Sequence, residues 1–313
     1  RVVGKDGRVS APIEGVPEVR AEGQGGLMDV ALHPQYAQNG WIYLSFSDPL
    51  RGPIGGTLGY TAIARGKLRG KRLVSVEVIY RVPERFYSPH SHHYGARIAF
   101  DREGYLYFAI GDRGQRSLAQ HVELPNGKVH RLHDDGRVPE DNPFVGHKDA
   151  IESIWSYGHR NPQGLALHPG TGQLWGAEHG PKGGDELNHV RKGLNYGWPV
   201  ITYGINYDGS PITDKTEAEG MEQPQTYWLP SIAVCGIDFY TGEGFGKWQH
   251  DLLVTSLKFN RLHRVRMEGV EVVHEEIVYE GESRVRDVQT GPDGAVYLAV
   301  EEPGRILRLV PEK

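Results

Sequence analysis

A single cysteine, Cys235, stands in 313 residues. No disulfide can form within the chain, and one thiol leaves the redox compartment open. No run of about 18 apolar residues occurs, so no helical membrane span is expected. Excess positive charge is missing as well. Lys and Arg total 35 against 40 Asp and Glu, a net charge of −5, without the basic footprint that nucleic-acid partners require. No segment keeps a helical period. The best candidate, Asp185–Lys192, is short and reads as a turn of helix or an extended loop. The phosphate-cradling G-x-x-x-x-G-K-[ST] run is absent, and the glycine clusters do not precede a helix in the dinucleotide pattern. His274-Glu275-Glu276 has no second histidine four residues on, so the zinc-protease motif fails. No signal peptide is visible and the chain opens with Arg1, as expected of a processed or trimmed chain.

Glycine, by contrast, is abundant: 42 residues, with 20 prolines. That is about twice the usual glycine content and favours many turns between short strands. One unit recurs. Leu27–Leu32, a turn at His33-Pro34, and the aromatic run Trp41–Phe46 form the first copy. Ala96–Phe100 and Tyr105–Ile110 form the second. Gly164–Leu167 and Leu174–Ala177 form the third. Gly236–Phe239 and Leu252–Thr255 form the fourth, and Val285–Gln289 and Ala295–Val300 the fifth. A spacing of about 50 to 70 residues is the regime of propeller blades. Each blade is a small sheet that buries its faces against its neighbours. A sandwich or barrel would not explain the same strand pair recurring at such intervals. The fold class is therefore all-β, a β-propeller taken as one domain over 1–313. The segments Arg51–Gly59 and Thr202–Gln225 read as loops shaping an entrance.

Chemistry collects at one end of these repeats. The stretch Ser88–Gln115 carries His90, His92 and His93 before one strand and Asp112 after the next. In a hairpin of nearly matched arms those two outer ends lie together. His93 and Asp112 are thus expected as neighbours, and a histidine beside a carboxylate is a general base with a fixed tautomer. Taken alone, His93 reads more readily as a surface or structural histidine than as a base. Arg160, Lys258, Arg284 and Arg286 fall at the corresponding ends of later repeats. Four cations converging on one channel call for an anion bearing carboxylates or phosphate. The bland alternative is that each pairs locally, Arg286 with Asp287 for example.

Several segments together carry a resemblance: GQGGLMDVALHP, HHYGARIAFDREGYLYFAIGDRG, YGHRNPQGLALHP, WGAEHGPKGGDELN, GLNYGWP and RVRDVQTGPDGAVY. The chain resembles the soluble pyrroloquinoline-quinone (PQQ) dependent aldose sugar dehydrogenases, bacterial relatives of soluble glucose dehydrogenase. The resemblance implies a six-bladed propeller with PQQ and calcium over the central channel. It implies His93 as catalytic base with Asp112 as its partner, and Arg160 and Asn161 against the quinone with Gln163 nearby. It implies Lys258, Arg284 and Arg286 as a clamp on the cofactor carboxylates, and the backbone carbonyls of Gly180 and Pro181 as calcium ligands. The activity implied is oxidation of an aldose at C1 to a lactone, the hydride passing to the quinone. The implied partners are an aldose, with its identity open, and an external electron acceptor. A monomer is the default state, and a periplasmic or secreted compartment is expected.

Two features depart from that pattern. Five repeats are complete, where six blades are implied. The His90, His92 and His93 cluster is richer in imidazole than a single base requires, which suits a transition metal and an alternative reading as a metal-dependent lactonase-type propeller. A non-catalytic propeller binding a glycan or a protein is a third reading.

Overall fold

Leu106, Phe108 and Ile110 point to one side of their strand, Tyr107 and Ala109 to the other, the period of two that every strand imposes. The first three pack with Tyr43, Tyr60 and Ile63. The other two pack with Leu165, Leu174 and Val190. One strand thus feeds two hydrophobic interfaces, each side chain gaining about 1.5 to 3 kcal/mol on burial. The computed structural model describes residues 1–312 and repeats this arrangement from sheet to sheet.

The first sheet holds β1 (Leu27–Leu32), β2 (Trp41–Arg51), β3 (Thr57–Arg69) and β4 (Arg72–Tyr80). The second holds β5 (Ile98–Phe100), β6 (Leu106–Ile110), β7 (Lys128–Leu132) and β8 (Ile154–Tyr157). The third holds β9 (Pro162–Leu167), β10 (Leu174–Glu178), β11 (Asp185–Val190) and β12 (Thr226–Trp228). The fourth holds β13 (Val234–Phe239), β14 (Leu252–Ser256), β15 (Arg261–Glu268) and β16 (Glu271–Glu280). The fifth holds β17 (Val285–Thr290), β18 (Val296–Val300) and β19 (Arg305–Leu309). Each sheet is an antiparallel meander in chain order. The innermost strands pack in sequence, β1 on β5, β5 on β9, β9 on β13 and β13 on β17. This is the expected all-β propeller, and each expected inner strand overlaps an observed one.

Three expectations are corrected. Five sheets are present among the described residues, not six. Residues 1–26 make single bridges, Val3 to Val9 and Glu14 to Arg72, and build no sheet of their own. On β1, Leu27, Val30 and Leu32 stay 50, 62 and 55% exposed, with no further sheet against that face. Asp185–Lys192 is neither helix nor loop, because its residues 185–190 are β11, paired Leu174 to Val190 and Glu178 to Glu186. Its alternation is masked in the sequence because Asp185 and Asn188 are buried polar residues. Arg51–Gly59 is not all loop, because Arg51 ends β2 and pairs with Thr57 at the start of β3, which leaves 52–56 as the hairpin tip.

The channel between the inner strands is crossed by one side chain. Arg97, just before β5, donates to the Gln163 carbonyl at 2.6 Å and to the Arg286 carbonyl at 3.0 Å. Its guanidinium also meets Asp29 at 3.2 Å, Asp287 at 3.1 Å and the Cys235 sulfur at 3.7 Å. A planar fork with five donors can satisfy such divergent acceptors. Arg97 thereby ties its own sheet to the other four.

Candidate active site

Two backbone irregularities three residues apart aim His93. The residue has φ +53°, and Ala96 has φ +90°, conformations that a non-glycine residue adopts at a cost. The hairpin β5–β6 then brings the two outer loops together as the sequence implied. His93 Nδ1 lies 2.7 Å from Asp112 Oδ1. Asp112 is held from every side. Its Oδ2 accepts from Trp198 Nε1 at 2.8 Å, and its Oδ1 also accepts from Gly114 N at 2.7 Å. Its own N–H donates to the Arg160 carbonyl at 2.7 Å, and its carbonyl accepts from Asn126 at 3.0 Å.

The electrostatics suit a base. Burial lowers the His93 pKa; the Asp112 hydrogen bond opposes this, while the Arg160 and Arg113 charges add to it, leaving it below the ordinary imidazole value. For Asp112, burial favours the neutral acid. The hydrogen bonds from His93, Gly114 and Trp198 outweigh it and hold the carboxyl below its usual range. With an ionised partner at Nδ1–H, the free lone pair of neutral His93 is on Nε2.

Beside this pair opens a cavity of about 1090 Å³. Asn161, Gln163, Gly180, Pro181, Lys258, Arg284 and Arg286 all line it. Lys258 and Arg284 are exposed, and neither pairs with a carboxylate among the described residues. Arg286 is different: its partner is Glu301, with Nε to Oε1 at 2.7 Å, and not the neighbouring Asp287. Asp287 belongs to Arg97. His93, Asp112 and Arg160 stand behind the lining. They connect to it through Gln24, whose Oε1 accepts from His93 N at 2.7 Å, and through Gly180, whose carbonyl accepts from Arg160 at 3.2 Å.

Arg160 is 6% exposed. Its Nη1 donates to the carbonyls of His179 and Gly180, and its guanidinium carbon lies 5.4 Å from the Trp198 ring centroid. Asn161 Oδ1 accepts from Gly95 N, and Gln163 Nε2 donates to the Gly95 carbonyl. The Gly180–Asp185 turn is closed by Asp185 Oδ1, which accepts from Gly180 N at 2.9 Å. Among the described residues no group of three His, Cys, Asp or Glu side chains is arranged to hold a metal ion. The His92 and His93 rings are perpendicular at 4.9 Å, and His93 Nδ1 is committed to Asp112. The lactonase-type reading loses the cluster it rested on.

The residues present fit a polycarboxylate cofactor. Two unpaired cations and Arg286 share one cavity, and the Nε2 of His179, which lines the same cavity, is buried without a partner. A divalent cation fits less completely, since Gly180 and Pro181 offer carbonyl oxygens without carboxylates and the ligand would complete the shell. Five residues that the structure places at the site escaped sequence reasoning: Trp198, Gln24, His179, Arg113 and Glu301. Trp198 lies in GLNYGWP, a segment conspicuous in the sequence. Gln24, Arg113 and His179 likewise lie in GQGGLMDVALHP, HHYGARIAFDREGYLYFAIGDRG and WGAEHGPKGGDELN; only Glu301 lies outside the conspicuous segments.

Comparisons with known proteins give the family. The family model described as Glucose / Sorbosone dehydrogenase matches residues 1–308. The chain belongs to the glucose/sorbosone dehydrogenase family. Among its relatives in that family is the aldose sugar dehydrogenase YliI of Escherichia coli (strain K12), 42% identical over 97% of this chain and 82% of the relative. A solved glucose dehydrogenase superposes with a TM-score of 0.93 at 43% identity, covering 98% of this chain and 89% of that one. The PQQ-bound aldose sugar dehydrogenase of Streptomyces coelicolor superposes at 0.75 with 28% identity, covering 95% and 83%. Membership of this dehydrogenase family makes the chain an oxidoreductase and sets aside the lactonase-type and non-catalytic readings.

Proposed function

We propose that this glucose/sorbosone dehydrogenase family member oxidises aldose sugars at C1 to lactones, with PQQ and calcium as cofactors, within one propeller domain over 1–313. The observation that carries the reading is the cavity with its three cations beside a buried His–Asp pair. Lys258, Arg284 and Arg286 are the groups to hold the cofactor carboxylates, with Asn161 and Gln163 along the lining. The carbonyls of Gly180 and Pro181 are the groups to meet calcium. PQQ, when bound, supplies the acceptor for the hydride leaving C1.

The chain supplies the rest. His93 Nε2 takes the C1 hydroxyl proton, while Asp112 keeps Nδ1 protonated and stabilises the imidazolium that forms. Trp198 and Gly114 hold Asp112 in place for that task. Arg160 fixes the carbonyls of His179 and Gly180 and leaves Nε and Nη2 without protein acceptors among the described residues, available for negative charge that develops at the reacting end. The Thr202–Gln225 loop reaches the cavity through Tyr207, 71% exposed, and shapes the sugar's approach. An external acceptor would reoxidise the cofactor. No described helix is long and apolar enough to cross a membrane; the periplasmic or secreted compartment is proposed from the family resemblance of the sequence alone.

Apo protein titrated with PQQ in calcium, followed by addition of an aldose and a redox dye, tests the reading. Tight binding with sugar-dependent dye reduction is expected. No PQQ binding, or binding without sugar oxidation, overturns it.

A further inference from the structure

We propose that Arg113 is a positioning residue for the His93 base: its guanidinium grips the backbone of the loop that carries His93 and sets the ring against Asp112. This rests on His93 serving as the base.

Arg113 is the residue after Asp112, and its side chain turns away from it into the protein, 0% exposed. Its Nη1 donates to the His92 carbonyl and its Nη2 to the His90 carbonyl. Nη2 also reaches the Gly59 carbonyl at 3.3 Å. The guanidinium carbon sits over the Tyr94 ring, 3.4 Å from its centroid, with the Tyr60 centroid at 5.5 Å. The two residues on either side of His93 are thus fixed by one group, His92 through its carbonyl and Tyr94 through its ring. Arg113 itself has φ +57° and His93 φ +53°. Two left-handed non-glycine residues, one bonded to Asp112 and one directly after it in the chain, persist only where surroundings over-determine them.

Fold maintenance alone does not call for this residue. Burying a guanidinium is costly, and the cost is normally offset by a carboxylate. No carboxylate pairs with Arg113 among the described residues, and Asp112 is committed to His93, Gly114 and Trp198. Carbonyls on three separate residues need a rigid fork, which a lysine or an amide does not supply. An unpaired cation beside the base has a second effect. The groups facing His93 are Asp112, which favours the imidazolium, and Arg160, Arg113, His92 and His179, which disfavour it. Arg113 therefore helps keep His93 neutral and proton-accepting at neutral pH.

The test uses Arg113→Met and Arg113→Lys in the full chain, loaded with PQQ and calcium. A misplaced base costs turnover and not cofactor binding, so kcat should fall about 10- to 100-fold in Arg113→Met, with PQQ affinity and KM little changed. The acid limb of kcat/KM should move to higher pH in Arg113→Met, since a neighbouring positive charge is gone, and stay in place in Arg113→Lys. In a His93→Ala background Arg113→Met should cost nothing further. NMR titration of His93 in the apo proteins reads the same shift without any turnover, so it decides the placement even if wild type oxidises no sugar. Unchanged kcat in a folded variant overturns the proposal. So does a loss that persists undiminished in the His93→Ala background, or an unmoved His93 titration. If Arg113→Met does not fold, Arg113→Lys decides: wild-type turnover there overturns the need for a fork, and reduced turnover at normal PQQ affinity supports it.

Discussion

Arg286 and Glu301 form an ion pair at the wall of the cavity, Nε to Oε1 at 2.7 Å, with Nη2 on the same oxygen. Both residues line the cavity. Arg286 therefore meets a cofactor carboxylate only by sharing or leaving Glu301, whereas Lys258 and Arg284 are free to do so. Replacing Glu301 by Gln should tighten PQQ binding, because a competing negative charge is removed. Arg284→Leu should weaken it by about 1.5 to 3 kcal/mol, or roughly 10- to 150-fold in Kd, with kcat at saturation little changed. Fluorescence titration of apo protein measures both. Wild-type affinity in Arg284→Leu removes the clamp from the account.

His93→Ala removes the proposed proton acceptor. Sugar oxidation should fall about 10²- to 10⁴-fold while PQQ still binds, since His93 is not part of the cavity lining. Stopped-flow measurement of cofactor reduction by sugar isolates this step. Reduction at the wild-type rate excludes His93 from it.

Asp112→Asn addresses the pair directly. Folded His93 titrates below the ordinary imidazole value because of burial, with Asp112 pulling upward. Activity needs the neutral ring, so it should be lost as pH falls through that pKa. Removing the carboxylate lowers the pKa further and moves the acid limb to lower pH. The plateau should also drop about 10²- to 10⁴-fold, as the Nδ1–H tautomer is no longer enforced. A pH profile that superposes on wild type counts against the pairing.

Arg97→Met should destabilise the fold by about 3 to 5 kcal/mol, the range for leaving buried charges without their partner. Asp29 and Asp287 lose their cation. Burial, opposed by Arg97 and aided by Asp287, already pushes Asp29 up to about 6. Without Arg97 the carboxyl binds its proton more tightly still, so the variant should lose most above pH 6 and recover part of the difference on acidification. Urea unfolding at pH 5 and pH 8 measures this. An equal loss at both values would contradict the hub.

Chelation tests calcium. Gly180 and Pro181 present carbonyls with no supporting cage of acidic side chains, so bound calcium should depend on the cofactor. A chelator should weaken PQQ binding and abolish turnover, calcium should restore both, and the unfolding temperature of the apo protein should not change. Full activity in excess chelator would remove calcium from the site.

Inner strands were legible because each repeat writes its own period of two between turn residues, as in Ala96–Phe100 and Tyr105–Ile110. His93 and Asp112 were legible because a hairpin is local: the strands between them set where their outer ends meet. Lys258, Arg284 and Arg286 followed from their matching place in each repeat. What decides their pairing was not legible. Trp198 reaches Asp112 across 86 positions, and Arg97 reaches Arg286 across 189, distances over which no periodicity carries information. β11 hid behind its polar burial, because the partners that let Asp185 and the Asn188 amide N–H be buried, Ser231 and Glu178, lie on other strands or loops. The count of five sheets was legible as well, since five repeats are complete in the sequence and each became one sheet, while six came from the resemblance alone. Strand identity and the placement of the base are determined by near neighbours along the chain. Arg286 meets Glu301 across its own β17–β18 hairpin, also a near neighbour, whereas the partners of Arg97 and the Gly59 contact of Arg113 are decided by which sheets the packing of the inner strands brings within hydrogen-bonding distance.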